Sequence, residues 1–301
     1  MLDRSAYTAL CEARIFEPAS LQRALRDRKR RPLAGAPGSG DGNLMILAAD
    51  HTARGMLAVG ADPLAVADRY TLLDNLMRGL SVAGVDGVMA SADILEELAW
   101  LGALEGKVAI GTINRGGLKG ALWELDDRIT AYDPEHIASA GLDGGKLLLR
   151  IEFTDPGVAR TIEMCGAVTT KLADQGIACM IEPLPYLKDE SGRAYLDTRD
   201  DELIRAVAIA SGLGSSSAYT WLKIPATPRI AEVAAATTMP ILLLGGDPGE
   251  KLPEVVAGWE QAMREPNVRG LIPGRALLYP HDGDIEGIVA TAARIVHGGG
   301  S

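Results

Sequence analysis

Three charged residues stand in apolar runs with strand character: Lys223 in YTWLKIPAT (Tyr219–Thr227), Lys146 in GGKLLLRIEF (Gly144–Phe153) and Glu182 in ACMIEPLP (Ala178–Pro185). A charge inside a buried strand is costly unless something pairs with it or uses it. The usual use of such a lysine is nucleophilic: a desolvated amine loses its proton more readily and can form a Schiff base with a carbonyl. A cationic Lys146 close to Lys223 disfavours protonation of Lys223 and so frees its amine. Glu182 can shuttle protons as carbinolamine becomes imine and as a carbon–carbon bond breaks. The competing readings are a strand-end lysine that snorkels to solvent and a structural Lys146–Glu182 ion pair.

Further polar residues end other apolar runs. NLMILAAD (Asn43–Asp50) closes on Asp50 and His51. Asp50 can hold the paired lysine or a substrate hydroxyl, or it can simply cap the next turn. PILLLGGD closes on Gly245, Gly246 and Asp247, and VRGLIPGRALL contains Gly274 and Arg275. These glycines can present backbone N–H groups to a phosphate, and Arg275 can add a bidentate contact. The Gly245-Gly246 pair can equally be only a tight turn.

Eight apolar runs alternate with helical patterns. The strands fall at 43–50, 84–90, 107–113, 144–153, 178–185, 219–227, 240–247 and 268–278, the last including its loop. Helices are expected at 62–83, opened by Asp62-Pro63, and at 92–103, 133–140, 155–175, 200–211, 228–236, 249–264 and 284–297. Residues 186–198 read as a polar loop. Strands apolar on both faces fit a parallel sheet covered by helices. Eight such units predict an α/β fold closed into a TIM (β/α)8 barrel, whose chemistry sits at the C-terminal ends of the strands. An open doubly wound sheet is the alternative. It usually carries GxGxxG after its first strand, where this chain has DHTARG. Residues 1–43 form an N-terminal helical extension and loop with helical spacing at 4–15 and 21–30, and 44–301 form the barrel domain.

The 301 residues are 47% hydrophobic and 23% charged, an ordinary globular balance. The net charge of −10 and pI near 5.0 argue against nucleic acid as the main partner. The one basic run, RDRKRR (Arg26–Arg31), reads as a solvated helix end. Cys11, Cys165 and Cys179 show no paired spacing and read as reduced thiols. No signal peptide pattern and no apolar run of membrane-spanning length is visible, so a cytoplasmic protein without membrane contact is expected. No metal is expected: of His51, His136, His281 and His297, none forms an HxH or HxxxH pair.

Taken together, LMILAAD, GGKLLLRI, CMIEPL, WLKIP, PILLLGGDPGEKLPEVV and LIPGRALL resemble the class I aldolases of the LacD-like and DhnA/FbaB-like group. This group belongs to the DeoC/LacD/FbaB superfamily of Schiff-base barrels and includes tagatose-bisphosphate and sulfofructose-phosphate aldolases. The similarity runs from about residue 44 to 279 and extends to an actinobacterial-type subgroup. It implies an imine on Lys223, assistance from Lys146, acid/base chemistry at Glu182, and anion contacts at Gly246, Gly274 and Arg275. It also implies a sugar-phosphate or related carbonyl substrate, no cofactor and a homo-oligomer. LacD-like members follow the first-strand Asp with Gln-Arg, whereas this chain has His51-Thr52, with Arg54 nearby. Arg115-Gly116-Gly117 has no counterpart in the pattern. Both departures concern substrate selection. A metal-dependent barrel lyase or isomerase, and a non-catalytic sugar-phosphate-binding barrel, are the alternatives.

Overall fold

The computed structural model describes residues 1–31, 33, 41–115, 117–245 and 252–298. Its strands are β1 (Leu44–Ala49), β2 (Gly87–Ala90), β3 (Val108–Thr112), β4 (Gly144–Ile151), β5 (Ala178–Lys188), β6 (Ala194–Leu196), β7 (Thr220–Pro225), β8 (Ile241–Leu244) and β9 (Val268–Leu271). All but β6 pair in parallel around a ring that β1 closes onto β9, so the fold is a TIM barrel and not an open sheet. The barrel strands are largely buried, the end of β5 and Arg269 apart, because side chains fill the barrel and helices cover its outside. Leu44, Ile46, Met89, Ile110, Met180 and Leu242 belong to the inner cluster.

Several boundaries differ from those expected. Helix Arg69–Ser81 starts at Asp68, whose carboxylate accepts from Thr71 N, not at Asp62. Asp62 is held instead in a bridge with Val59 and accepts from Leu64 N, which diverts the Asp62-Pro63 signal into a turn. The expected polar loop 186–198 is largely a hairpin. Tyr186, Leu187 and Lys188 extend β5 and pair antiparallel with β6. Asp189 accepts from Ser191 N and Arg193 N across the turn, and Gly192 takes the φ of +81° the turn requires. After β9 the chain forms a short helix, Arg275–Leu278.

The basic run is solvated only in part: Arg26, Asp27, Lys29 and Arg30 are exposed, while Arg28 is buried and Arg31 half-buried. Helix Pro18–Asp27 delivers it to the N-terminal end of the barrel. Arg28, buried, donates to Asp143 at 2.9 Å, Arg30 binds the other oxygen of Asp143 at 2.7 Å, and Arg31 reaches Asp86 at 3.0 Å. Asp143 and Asp86 each stand one residue before a strand and also accept a backbone N–H of the preceding strand, Ala109 and Met45. The closing helix Ile285–His297 joins here, with His297 Nε2 3.1 Å from Asp86. Arginines suit this role because a planar guanidinium satisfies two acceptors at once. Among the described residues no helix is long and apolar enough to cross a membrane.

Candidate active site

Residues two apart on a strand share a face, so Lys146 and Leu148 on β4, Glu182 and Leu184 on β5, and Lys223 and Pro225 on β7 line one cavity. The cavity measures about 210 Å³ and lies where β1 and β8 also end. Asp50, His51 and Arg54 line it from the segment after β1, and Gly245, Gly274 and Arg275 from the segments after β8 and β9. A larger crevice of 920 Å³ lies among helices Pro18–Asp27, Ala92–Trp100 and Pro134–Ser139. It holds neither lysine and is set aside as the centre of chemistry on that ground.

Glu182 bridges the two lysines. One carboxylate oxygen lies 3.0 Å from Lys223 Nζ and the other 2.6 Å from Lys146 Nζ. Lys146 also donates to Asp50 at 2.9 Å, and Thr112 Oγ1 stands 3.5 Å from the same Asp50 oxygen. All four charged groups are buried. Two cations face two anions, so the cluster offsets its own charge, as charges removed from water must.

This packing sets the protonation states. Burial pushes Lys223 down from the ordinary lysine value; Glu182 opposes that shift and Lys146 adds to it. Burial pushes Glu182 up, but Lys146 and then Lys223 outweigh it and hold the carboxyl at about 2. Asp50 is likewise raised by burial, yet Lys146 and Lys223 hold it well below its usual range. Burial lowers His51 to about 4, with Asp50 opposing, so the imidazole is neutral at pH 7.

The structure therefore brings Lys223, Lys146, Glu182, Asp50 and His51 together, with Gly245, Gly274 and Arg275 at the rim. Gly246 lies outside the described residues. Arg275 donates to the carbonyl of Ala58 at 2.7 Å. Gly274 must be small: a Cβ there would stand 2.5 Å from Ala48 O and 2.6 Å from His51 Cε1. Arg54 lines the cavity while its guanidinium is held by Asp127 at 2.9 Å and by the carbonyl of Asn114. Arg150, one turn of the pleat above Leu148, is bound by Glu124 at 2.7 Å. Tyr186 and Leu196, from the hairpin, also line the cavity. Continuing β5 at period two from Glu182 through Leu184 would have reached Tyr186, but the reading of 186–198 as a loop hid it; nothing in the sequence tied Leu196 or Asp127 to the site. Among the described residues no group of three His, Cys, Asp or Glu side chains is placed to hold a metal ion.

The Cgl0159-like family profile matches residues 42–293. The crystal structure of Cgl0159 from Corynebacterium glutamicum (Brevibacterium flavum) is 43% identical, covering 99% of this chain and 98% of that one with a TM-score of 0.94. An archaeal fructose 1,6-bisphosphate aldolase superposes with a TM-score of 0.64 at 18% identity, covering 93% of this chain and all (100%) of that one. A second archaeal fructose-1,6-bisphosphate aldolase structure, with its catalytic Lys covalently bound to the carbinolamine intermediate, gives 0.64 at 18% identity over 92% and 100% of the two chains. At that identity the likeness is one of fold. No curated protein matches the sequence.

Proposed function

The chain belongs to the Cgl0159-like family, and from that premise we propose that it is a class I aldolase, a carbon–carbon lyase working through a Schiff base on Lys223. One observation carries the reading: a buried lysine of lowered pKa whose amine touches a carboxylate that a second lysine also holds. A structural ion pair would need one lysine and one carboxylate; here two lysines and two carboxylates are taken out of water at the end of the cavity, a costly cluster that packing alone does not call for.

In this reading the neutral Lys223 amine attacks a ketone carbonyl to give a carbinolamine. Glu182, within hydrogen-bond reach of that nitrogen, relays the protons that turn it into an iminium with loss of water. Lys146 disfavours protonation of Lys223 and fixes Glu182, while Asp50 anchors Lys146. The iminium then accepts the electron pair of the breaking carbon–carbon bond. Arg275 and the backbone beside Gly245 and Gly274 face the same cavity and suit an anionic end of the substrate, a sugar phosphate or related compound. Gly246 is proposed with them from sequence alone. The fold shared with archaeal aldolases, one trapped as a lysine carbinolamine, is consistent with this chemistry. The LacD-like substrate class is not carried over, because His51-Thr52 replaces Gln-Arg.

The test is aldol cleavage of a ketose-phosphate panel in the presence of EDTA. Wild type is expected to keep full activity and Lys223→Met to lose it while remaining folded. Activity that EDTA removes, or that Lys223→Met retains, would point to the metal-dependent reading.

A further inference from the structure

Cleaving a carbon–carbon bond next to an iminium requires a base for the hydroxyl that becomes the aldehyde. Glu182 is poorly suited to that step. Both its oxygens are engaged by lysines at 3.0 and 2.6 Å, and the same two cations hold it strongly acidic. Asp50 is held by Lys146 through one oxygen, and against burial Lys146 and Lys223 keep its carboxyl well below the usual range. One other ionisable group in the cavity is electrically neutral at pH 7 and accepts protons: His51.

His51 lines the cavity and is half-buried. Among the described residues the imidazole nitrogens that make hydrogen bonds are those of His136 and His297, and neither ring nitrogen of His51 does. The ring is packed where Gly274 leaves room for it, since a Cβ at Gly274 would stand 2.6 Å from Cε1 and 3.3 Å from Nδ1. The charged groups around it are Asp50, Lys223, Arg275 and Lys146. Burial first, and then the nearby basic groups against Asp50, keep a proton off the imidazole. An imidazole held in place but left without a partner is a base waiting for a ligand proton.

We propose that His51 is the catalytic base and acid of the carbon–carbon step, distinct from Glu182, which serves the imine nitrogen. This inference rests on the aldolase reading. In cleavage, a His51 ring nitrogen takes the proton of the hydroxyl β to the iminium. The O–H electron pair forms the aldehyde C=O, the carbon–carbon bond breaks, and its electrons neutralise the iminium to an enamine. The aldehyde leaves. The imidazolium returns the proton to the enamine carbon, regenerating an iminium that hydrolyses from Lys223. Charge and protons balance through each step, and no other reactant than water is needed.

The test separates the two lysine-bound stages. Dihydroxyacetone phosphate with sodium borohydride reads imine formation; aldol addition of the same ketone to glyceraldehyde, glycolaldehyde and glyceraldehyde 3-phosphate reads the carbon–carbon step. His51→Gln can hydrogen-bond but cannot carry the proton, and His51→Asn supplies a second amide if the first does not fold. Both are expected to retain borohydride trapping at Lys223 with KM little changed, while kcat for addition falls by about 10²–10⁴-fold. Unchanged kcat in a folded amide variant overturns the role of His51 and leaves the Lys223 imine standing. Trapping in wild type without addition to any aldehyde also overturns it. Absence of any wild-type adduct overturns both the imine reading and this one.

Discussion

Glu182 Oε1 stands 3.0 Å from the Lys223 amine, deep in the barrel and out of water. The contact opposes the drop in pKa that burial imposes on Lys223. A lysine amine attacks only when neutral, so trapping of a carbonyl by Lys223 should accelerate as pH rises through its folded pKa. Glu182→Gln removes the opposing charge, so the pH profile of trapping should move to lower pH. Proton relay is lost in the same variant, and kcat should fall by about 10²-fold or more. Borohydride trapping rates from pH 5 to 10, beside steady-state kcat, check both effects.

Lys146 works in the opposite sense on Lys223 and holds two carboxylates. Lys146→Met should raise the pKa of Lys223, slowing trapping at pH 7 and moving its profile to higher pH. It should also change acid stability. Glu182, ordinarily at 4.5, sits at about 2 in the fold, and Asp50 is held well below its ordinary 3.8. Folded carboxyl pKa values below the unfolded ones stabilise the protein above pH 4.5, and that stability is lost as pH falls towards 2. Without Lys146 these groups titrate higher, so the acid-unfolding midpoint followed by circular dichroism should rise.

Gly274 is the place where backbone and imidazole meet. Gly274→Ala puts a methyl 2.5 Å from Ala48 O, a backbone atom that cannot swing away, and 2.6 Å from the His51 ring. The ring should be displaced. Aldol addition should drop more than about 10-fold, the scale of a misplaced acid/base group, while Lys223 trapping is less affected. Addition undiminished in a folded Gly274→Ala variant would be the contrary result.

At the other end of the barrel, Arg28 and Arg26 make a matched pair for stability. The Arg28 side chain is fully buried against Asp143, whereas Arg26 is 54% exposed and paired with its neighbour Asp27. Arg28→Ala should cost about 3 kcal/mol or more, because it leaves a buried carboxylate short of a partner. Arg26→Ala should stay within about 0.5 kcal/mol. Chemical denaturation of the two variants compares them directly.

His297 ties the closing helix to Asp86, and that contact, with Asp41 and against burial, raises its pKa from 6.5 to about 9. A raised folded pKa gives stability present in full below pH 6.5 and lost as pH climbs to 9. His297→Ala should therefore lower Tm by about 2–4 °C at pH 6 and by less at pH 9.5, measured by thermal scans at both values.

The barrel was legible because each strand is a short run apolar on both faces, and only buried parallel strands need that pattern. Lys146, Glu182 and Lys223 stood out for the same reason: a charge in such a run has no solvent to turn to. What was missed depended on contacts remote in sequence. RDRKRR looks like a solvated helix end until Asp86 and Asp143, more than fifty residues on, are brought beneath it. Asp62-Pro63 carries a helix start signal that its bridge to Val59 overrides. The hairpin at 186–196 was hidden by polar residues that face water on an edge pair, and with it the place of Tyr186 and Leu196 at the cavity.

The most direct measurement is intact-mass spectrometry of the wild-type protein after sodium borohydride treatment with dihydroxyacetone phosphate and a ketose-phosphate panel, followed by peptide mapping. A mass increase equal to one reduced ketone adduct, located on Lys223 and absent from Lys223→Met, is the expected result. A folded protein that gains no mass with any of these carbonyls, or gains it on another lysine, would contradict the Schiff-base assignment.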